Sequence, residues 1–136
     1  MKRKIIIIDD EPLIRTGLTQ KIDWNQIGCE VCGAASNGNE GLQLIDRYNP
    51  HIVITDIVMP GQTGIELAKK TLFAHPRLKF IFLSAYDDFS YAQEAIRLNA
   101  FDYILKPINP KNLLDSVQKA IKEIEEEERV SKIQYN

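Results

Sequence analysis

Five times along this chain a short apolar run is followed by a longer amphipathic segment, and this alternation constrains the fold more than any other feature. The first run, residues 4–9, contains Ile5, Ile6, Ile7 and Ile8 in succession. A strand with no polar alternation is one buried on both faces. Residues 12–21 form a helix opening on Pro12, whose missing N–H costs nothing in a first turn. Residues 30–35 form a second strand, Asn37-Gly38 a turn, and residues 39–48 a helix with Leu42 and Ile45 on one face. Asn49-Pro50 stops that helix, since a residue before proline avoids helical geometry. Residues 51–56 form a third strand, Met59-Pro60-Gly61 a loop, and Thr63 caps a helix to about residue 75, before Pro76. Residues 79–84 and 101–105 are the remaining strands. Between them, Asp87 or Asp88 caps a helix to about residue 98. Pro110 opens a last helix through about residue 128, with Leu113, Leu114, Val117, Ile121 and Ile124 along one face. Strands alternating with helices give a parallel sheet covered on both sides, with right-handed crossovers. At this length the expected fold is α/β: a flavodoxin-like, doubly wound, five-stranded parallel sheet of order 2-1-3-4-5 with five helices.

Composition excludes several functions. The longest aliphatic run is the four isoleucines, far below the ~20 apolar residues of a membrane span. The basic start, Met1 to Lys4, is followed by too short an apolar stretch for a signal peptide, so the cytoplasm is expected. Residues 1–122 hold 15 basic and 14 acidic side chains; residues 123–136 hold five glutamates against Arg129 and Lys132. With no basic excess, direct nucleic-acid binding is not expected. The acidic end reads as a solvated helix end or linker. Cys29 and Cys32 form a C-x-x-C, but on a strand rather than at a helix start. Residues three apart on a strand face opposite ways, which rules out pairing between them, so both read as structural.

In such sheets ligands bind beyond the carboxyl ends of the strands, where strand order reverses. The first strand leaves Asp9, Asp10 and Glu11 there, the third Asp56, the fourth Ser84 and the fifth Lys106. No glycine-rich phosphate loop follows the first strand, and carboxylates repel phosphate. Clustered carboxylates also resist joint ionisation. A hard divalent cation relieves that repulsion, and Mg²⁺ suits a few carboxylates plus a phosphoryl oxygen. Cysteine and histidine are absent nearby, which argues against zinc; His51 and His75 read as non-catalytic. A metal, a lysine and a hydroxyl around one carboxylate meet the needs of phosphoryl transfer to that carboxylate. Each residue has a bland use alone: Asp9-Asp10 as a helix cap, Asp56 as a turn former, Ser84 as a cap, Lys106 as a surface charge. Their joint arrival at four strand ends does not.

Four runs carry a resemblance: Ile7-Ile8-Asp9-Asp10-Glu11-Pro12, Asp56-Ile57-Val58-Met59-Pro60-Gly61, Leu83-Ser84-Ala85 and Tyr103-Ile104-Leu105-Lys106-Pro107. In this order and spacing, over residues 2 to 124, the chain resembles the CheY-like receiver domain of two-component response regulators. The resemblance implies that Asp56 accepts a phosphoryl group from a sensor histidine kinase. It implies that Asp10 and Asp56 ligate Mg²⁺, with Asp9 acting through water and the backbone carbonyl of Val58 completing the set. Ser84 and Lys106 would hold phosphoryl oxygens, and Lys106-Pro107 would be cis. Ser84 and Tyr103 would form a switch that repacks the face of the fourth helix, fifth strand and fifth helix, through which phosphorylated copies would form a homodimer. The chain would catalyse only its own phosphorylation and dephosphorylation, so it is not expected to be an enzyme acting on other substrates. Val58 and Tyr86, two residues beyond Asp56 and Ser84, are not acids or amides that position water, which implies a long-lived phosphorylated state.

The run from Ser84 to Ala92, with Asp23-Trp24 and Gly28, is similar to receivers that precede AraC-type helix-turn-helix output domains. Residues 1–124 then form the receiver, and residues 125–136 an acidic linker or helix extension toward an output domain outside this sequence. Contact with DNA would come only through that domain, to control transcription, and no membrane is involved. Two other readings stand beside this one. A phosphate-independent interaction module would need none of the acids intact. A small metal-dependent aspartyl-phosphate phosphatase would carry an acid where Val58 stands.

Overall fold

The structure, a computed structural model, describes residues 2–85 and 89–135, leaving aside the side chains of Phe89, Gln134 and Tyr135. Five parallel strands, β1 (Arg3–Ile8), β2 (Cys29–Ala35), β3 (Ile52–Asp56), β4 (Lys79–Ser84) and β5 (Asp102–Leu105), lie in the order β2-β1-β3-β4-β5. Five α-helices connect and follow them: α1 (Pro12–Gln20), α2 (Gly38–Tyr48), α3 (Gly64–Ala74), α4 (Phe89–Arg97) and α5 (Pro110–Tyr135). The expected fold class and strand order are those found.

The two faces of the sheet carry separate cores. Ile6, Ile8, Val53, Phe80 and Phe82 pack with Ile45 of α2, Ile65, Leu67 and Ala68 of α3, and Ala95 of α4. Ile5, Ile7, Ile52, Ile54, Ile81 and Leu83 pack on the other face with Leu18 of α1 and Leu113, Val117, Ala120 and Ile124 of α5. Alternate isoleucines of β1 therefore serve opposite cores, and all four are fully buried. Burying each such side chain stabilises the fold by about 1.5–3 kcal/mol. This double burial is the reason the run lacks polar residues.

Two local expectations change, and one short element is added. Asn37-Gly38 is not a turn. Asn37 is the N-cap of α2, its side chain accepting from the Glu40 N–H at 2.9 Å, while Glu40 receives Ser36 Oγ–H and Asn37 Nδ2–H, each at 2.9 Å. This variant of the capping box outweighs the turn preference of the Asn-Gly pair. Trp24–Ile27 forms a 3₁₀ helix closed by Gly28 at φ 72°, and the Trp24 indole N–H donates to the Leu18 carbonyl at 2.8 Å. Finally, α5 runs to Tyr135, beyond the expected end at residue 128. Its acidic part is docked as far as Glu128: Arg3 on β1 holds Glu128 with two bonds of 2.7 Å, and Lys79 on β4 meets Glu123 at 2.9 Å and Glu127 at 2.5 Å.

The cysteines sit as the strand geometry requires. Cys29 lies in the core of one face, and Cys32 packs against the core of the other. Cys32 is also the extra residue where the β1–β2 register slips, since Ile5 pairs with Val31 and Ile6 with Gly33. Both are free thiols, and burial pushes Cys29 up to about 11, the opposite of an activated thiolate. The expected cap at Asp87 or Asp88 lies outside the described residues, as does Tyr86.

Candidate functional site

The carboxyl ends of β1, β3, β4 and β5 converge on one edge of the sheet. Register explains how. Ile8 pairs with Thr55, Asp56 with Leu83, and Ser84 with Leu105, so the residues that follow each strand emerge side by side. Carboxylate oxygens of Asp9, Asp10, Glu11 and Asp56 lie within 4.8 Å of one another. Asp9 is fully buried and Asp56 is 5% exposed.

Lys106 is the counter-charge. Its Nζ lies 3.0 Å from Asp9 Oδ2, 3.1 Å from Glu11 Oε1 and 3.2 Å from Asp56 Oδ2. Its backbone N–H donates to the Ser84 carbonyl at 2.8 Å, tying the hydroxyl-bearing and ammonium-bearing strand ends together. The Lys106–Pro107 peptide is cis. Burial alone would lower the ammonium, but its close pairing with the Asp9 and Glu11 carboxylates and the charge of Asp56 hold it well above the ordinary lysine range. Burial pushes the Asp9 carboxyl up, partly offset by the Glu11 N–H and by Lys106. Asp56 is raised to about 6, first by burial and then by the charge of Asp9, with Lys106 opposing. One ammonium does not neutralise four carboxylates, so repulsion within the cluster adds to the burial that raises Asp9 and Asp56.

The donor set fits a hard divalent cation. It is all oxygen, it spans a few ångströms, and the buried Asp9 Oδ2 accepts no aligned hydrogen bond despite its ion pair. Mg²⁺ prefers such carboxylate sets and keeps water or phosphoryl oxygens in the remaining positions. Val58, in the loop after β3, has a side chain 39% exposed, and Ser84 at the end of β4 is buried.

Tyr103 is not in the acidic cluster. It pairs with Phe82 and sits partly buried against the core that holds Phe80 and Phe82. Alternation along β4 and β5 puts Ser84, Phe82 and Tyr103 on one face of the sheet. His51 and His75 lie at the opposite end of the sheet. His51 Nδ1 accepts the Lys4 N–H at 3.0 Å, and His75 Nε2 is 3.4 Å from Asp46.

Three participants have no role of their own in the sequence reading, which places Glu11 only among the acids at the sheet edge. Glu11 shares Lys106. Arg15 Nη1 donates to the Asp9 carbonyl at 2.7 Å. Gly64, the residue after the Thr63 cap, places its Cα against the backbone of Asp56: a Cβ there would fall 2.2 Å from the Asp56 carbonyl oxygen. Glu11 was traceable in principle, since it adjoins the acid pair; Arg15 was not, because its partner is a backbone carbonyl. The third depends on the crossing of α3 over β3 and left no local signal.

Comparison with known proteins places the chain in a family. A family profile described as response regulator receiver domain matches residues 5–118. The chain is 39% identical over 125 residues to the transcriptional regulatory protein YesN of Bacillus subtilis, covering 92% of this chain and 34% of that protein. It is 41% identical over 110 residues to the transcriptional regulatory protein HptR of Staphylococcus aureus, covering 81% and 43%. The chain thus spans less than half the length of these relatives. Among solved structures, the REC domain of AraT, a response regulator from Geobacillus stearothermophilus, superposes with a TM-score of 0.87 at 41% identity, covering 94% of this chain and 99% of that one. None of the described helices is long and apolar enough to cross a membrane.

Proposed function

The chain belongs to the response regulator receiver domain family, and on that premise we propose that it is a phosphorylation-driven signalling switch with Asp56 as phosphoacceptor. The observation that carries the reading is the triple engagement of Lys106 with Asp9, Glu11 and Asp56 at the edge where strand order reverses. In the proposed reaction an Asp56 carboxylate oxygen attacks the phosphorus of a phosphohistidine on a sensor kinase. The P–N bond breaks as the P–O bond forms, and the imidazole leaves with its electron pair. With its acid raised only to about 6, Asp56 is mostly ionised at neutral pH and available as the nucleophile.

Lys106 compensates charge on the phosphoryl oxygens, and Ser84 donates a hydrogen bond to one of them. Asp10 and Asp56 would hold Mg²⁺, with Asp9 acting through water and the Val58 carbonyl completing the set. Bound there, the ion supplies charge neutralisation between the acids and the phosphoryl group. The chain acts only on its own phosphorylation state, not on separate substrates.

Signal output follows from the shared face of Ser84 and Tyr103. Moving Ser84 toward a phosphoryl group opens space that Tyr103 fills, which repacks α4, β5 and α5 and shifts the population between two states. Ile96 on α4 and Leu105 on β5 are 76% and 45% exposed, which leaves apolar side chains available for a homodimer on that face. Residues 125–136 would lead into an output domain that contacts DNA, as the curated transcriptional regulators suggest. A cytoplasmic location follows from such a role, with no membrane involved.

Intact mass after incubation with acetyl phosphate tests the reading. A gain of one phosphoryl group that needs Mg²⁺ and disappears in Asp56→Ala supports it. No gain favours a phosphate-independent interaction module. Steady consumption of the donor with no accumulated adduct favours a small phosphatase.

A further inference from the structure

We propose that Arg15 is a positioning residue for the Asp9-Asp10 acid pair and sets its affinity for Mg²⁺; the inference rests on the metal-binding reading above. The connection from β1 into α1 lacks the usual restraint. Glu11, at the N-cap position before Pro12, makes no side-chain cap hydrogen bond. Besides the Lys106 ion pairs to the Asp9 and Glu11 side chains, three contacts fix the segment. The Asp9 N–H donates to the Ala35 carbonyl at 3.0 Å, the Glu11 N–H donates to Asp9 Oδ1 at 2.9 Å, and Arg15 Nη1 donates to the Asp9 carbonyl at 2.7 Å. The backbone of Asp9 is therefore held from the β2 side through its N–H and from the α1 side through its carbonyl, and among the described residues Arg15 is the side chain beyond the acidic run that grips it. Arg15 is itself anchored, its N–H donating to the Glu11 carbonyl at 3.0 Å.

Four mutually repelling carboxylates would otherwise spread the segment. A guanidinium suits this task because its planar, pre-organised donors lose less freedom per bond than a lysine ammonium. Partners behind metal ligands of this kind typically govern affinity by about 10- to 100-fold.

Charge and position make opposite predictions, which renders the idea testable. Removing a cation beside an acidic cluster should tighten Mg²⁺ binding if Arg15 acts only through its charge. Removing a positioning residue should weaken it. Calorimetric titration of the 136-residue chain with MgCl₂ at fixed ionic strength separates them. We expect Arg15→Ala and Arg15→Gln to bind about tenfold more weakly. Arg15→Lys should fall between these and wild type. The Mg²⁺ concentration for half-maximal phosphorylation by acetyl phosphate should rise in parallel, by more than the maximal rate falls. Should Arg15→Ala lose its far-ultraviolet circular dichroism, the glutamine and lysine variants decide. Binding by Arg15→Gln and Arg15→Lys as tight as wild type, or tighter, overturns the inference alone. Wild type failing to bind Mg²⁺ overturns the metal reading and this inference with it.

Discussion

The Cα of Gly64 faces the Asp56 carbonyl so closely that any Cβ would lie 2.2 Å from its oxygen, while the Gly64 N–H donates to the Ile57 carbonyl at 2.8 Å. The first residue of α3 thus fixes the backbone that presents the proposed phosphoacceptor. Gly64→Ala must move either the buried start of α3, at Gly64 and Ile65, or the buried end of β3. We expect a loss of about 1–3 kcal/mol, as for overpacked cores, together with slower phosphorylation. Urea denaturation and acetyl phosphate kinetics on the same variant check both.

Asp56 gives the unphosphorylated protein a pH signature. Its acid lies at about 6 when folded, against an ordinary 3.8. Between these values the folded state keeps a proton that the unfolded chain has released, so stability falls as pH rises through that window. Above it, the ionised group costs on the order of 3 kcal/mol. Asp56→Asn should therefore melt higher than wild type near neutral pH in chelator. The gap should shrink on acidification through 6 and close by about pH 4. Thermal melts across this range measure it; a gap that does not change with pH would contradict the account.

The acidic end of α5 is tethered rather than loose. Arg3, whose side chain is 16% exposed, holds Glu128 with two bonds of 2.7 Å. A double-mutant cycle of Arg3→Ala and Glu128→Ala should show coupling of about 0.5–1 kcal/mol that weakens with added salt. Either single variant should also speed amide exchange over residues 125–135. Unchanged exchange there would mean that the helix end is held by other contacts.

Neither an acid nor an amide stands at Val58 or Tyr86, the positions two residues beyond Asp56 and Ser84. The phosphorylated protein should therefore keep most of its label through desalting and storage at neutral pH. A Val58→Asp variant should lose it faster. Phosphate release from purified phosphoprotein is the measurement.

Much of this was legible from residues alone. The isoleucine run of β1 declared a doubly buried strand because both faces of a parallel sheet are covered. Once strand order was set, Asp9, Asp10, Asp56, Ser84 and Lys106 fell at one edge. Other features depend on tertiary contact. The Asn37 cap needed Glu40 to fold back onto it, and the docked end of α5 needed Arg3 and Lys79 to approach from strands far away in sequence. Gly64 and Arg15 act on backbone atoms of Asp56 and Asp9, which no residue pattern displays.

The most direct test of the central claim is to locate the phosphoryl group. Wild type is phosphorylated with acetyl phosphate and Mg²⁺, reduced with borohydride, digested and sequenced by tandem mass spectrometry. The account predicts reductive conversion to homoserine at position 56 alone, and none in Lys106→Ala treated alike for the same short time. Conversion at Asp9 or Asp10, or at no carboxylate, would contradict it.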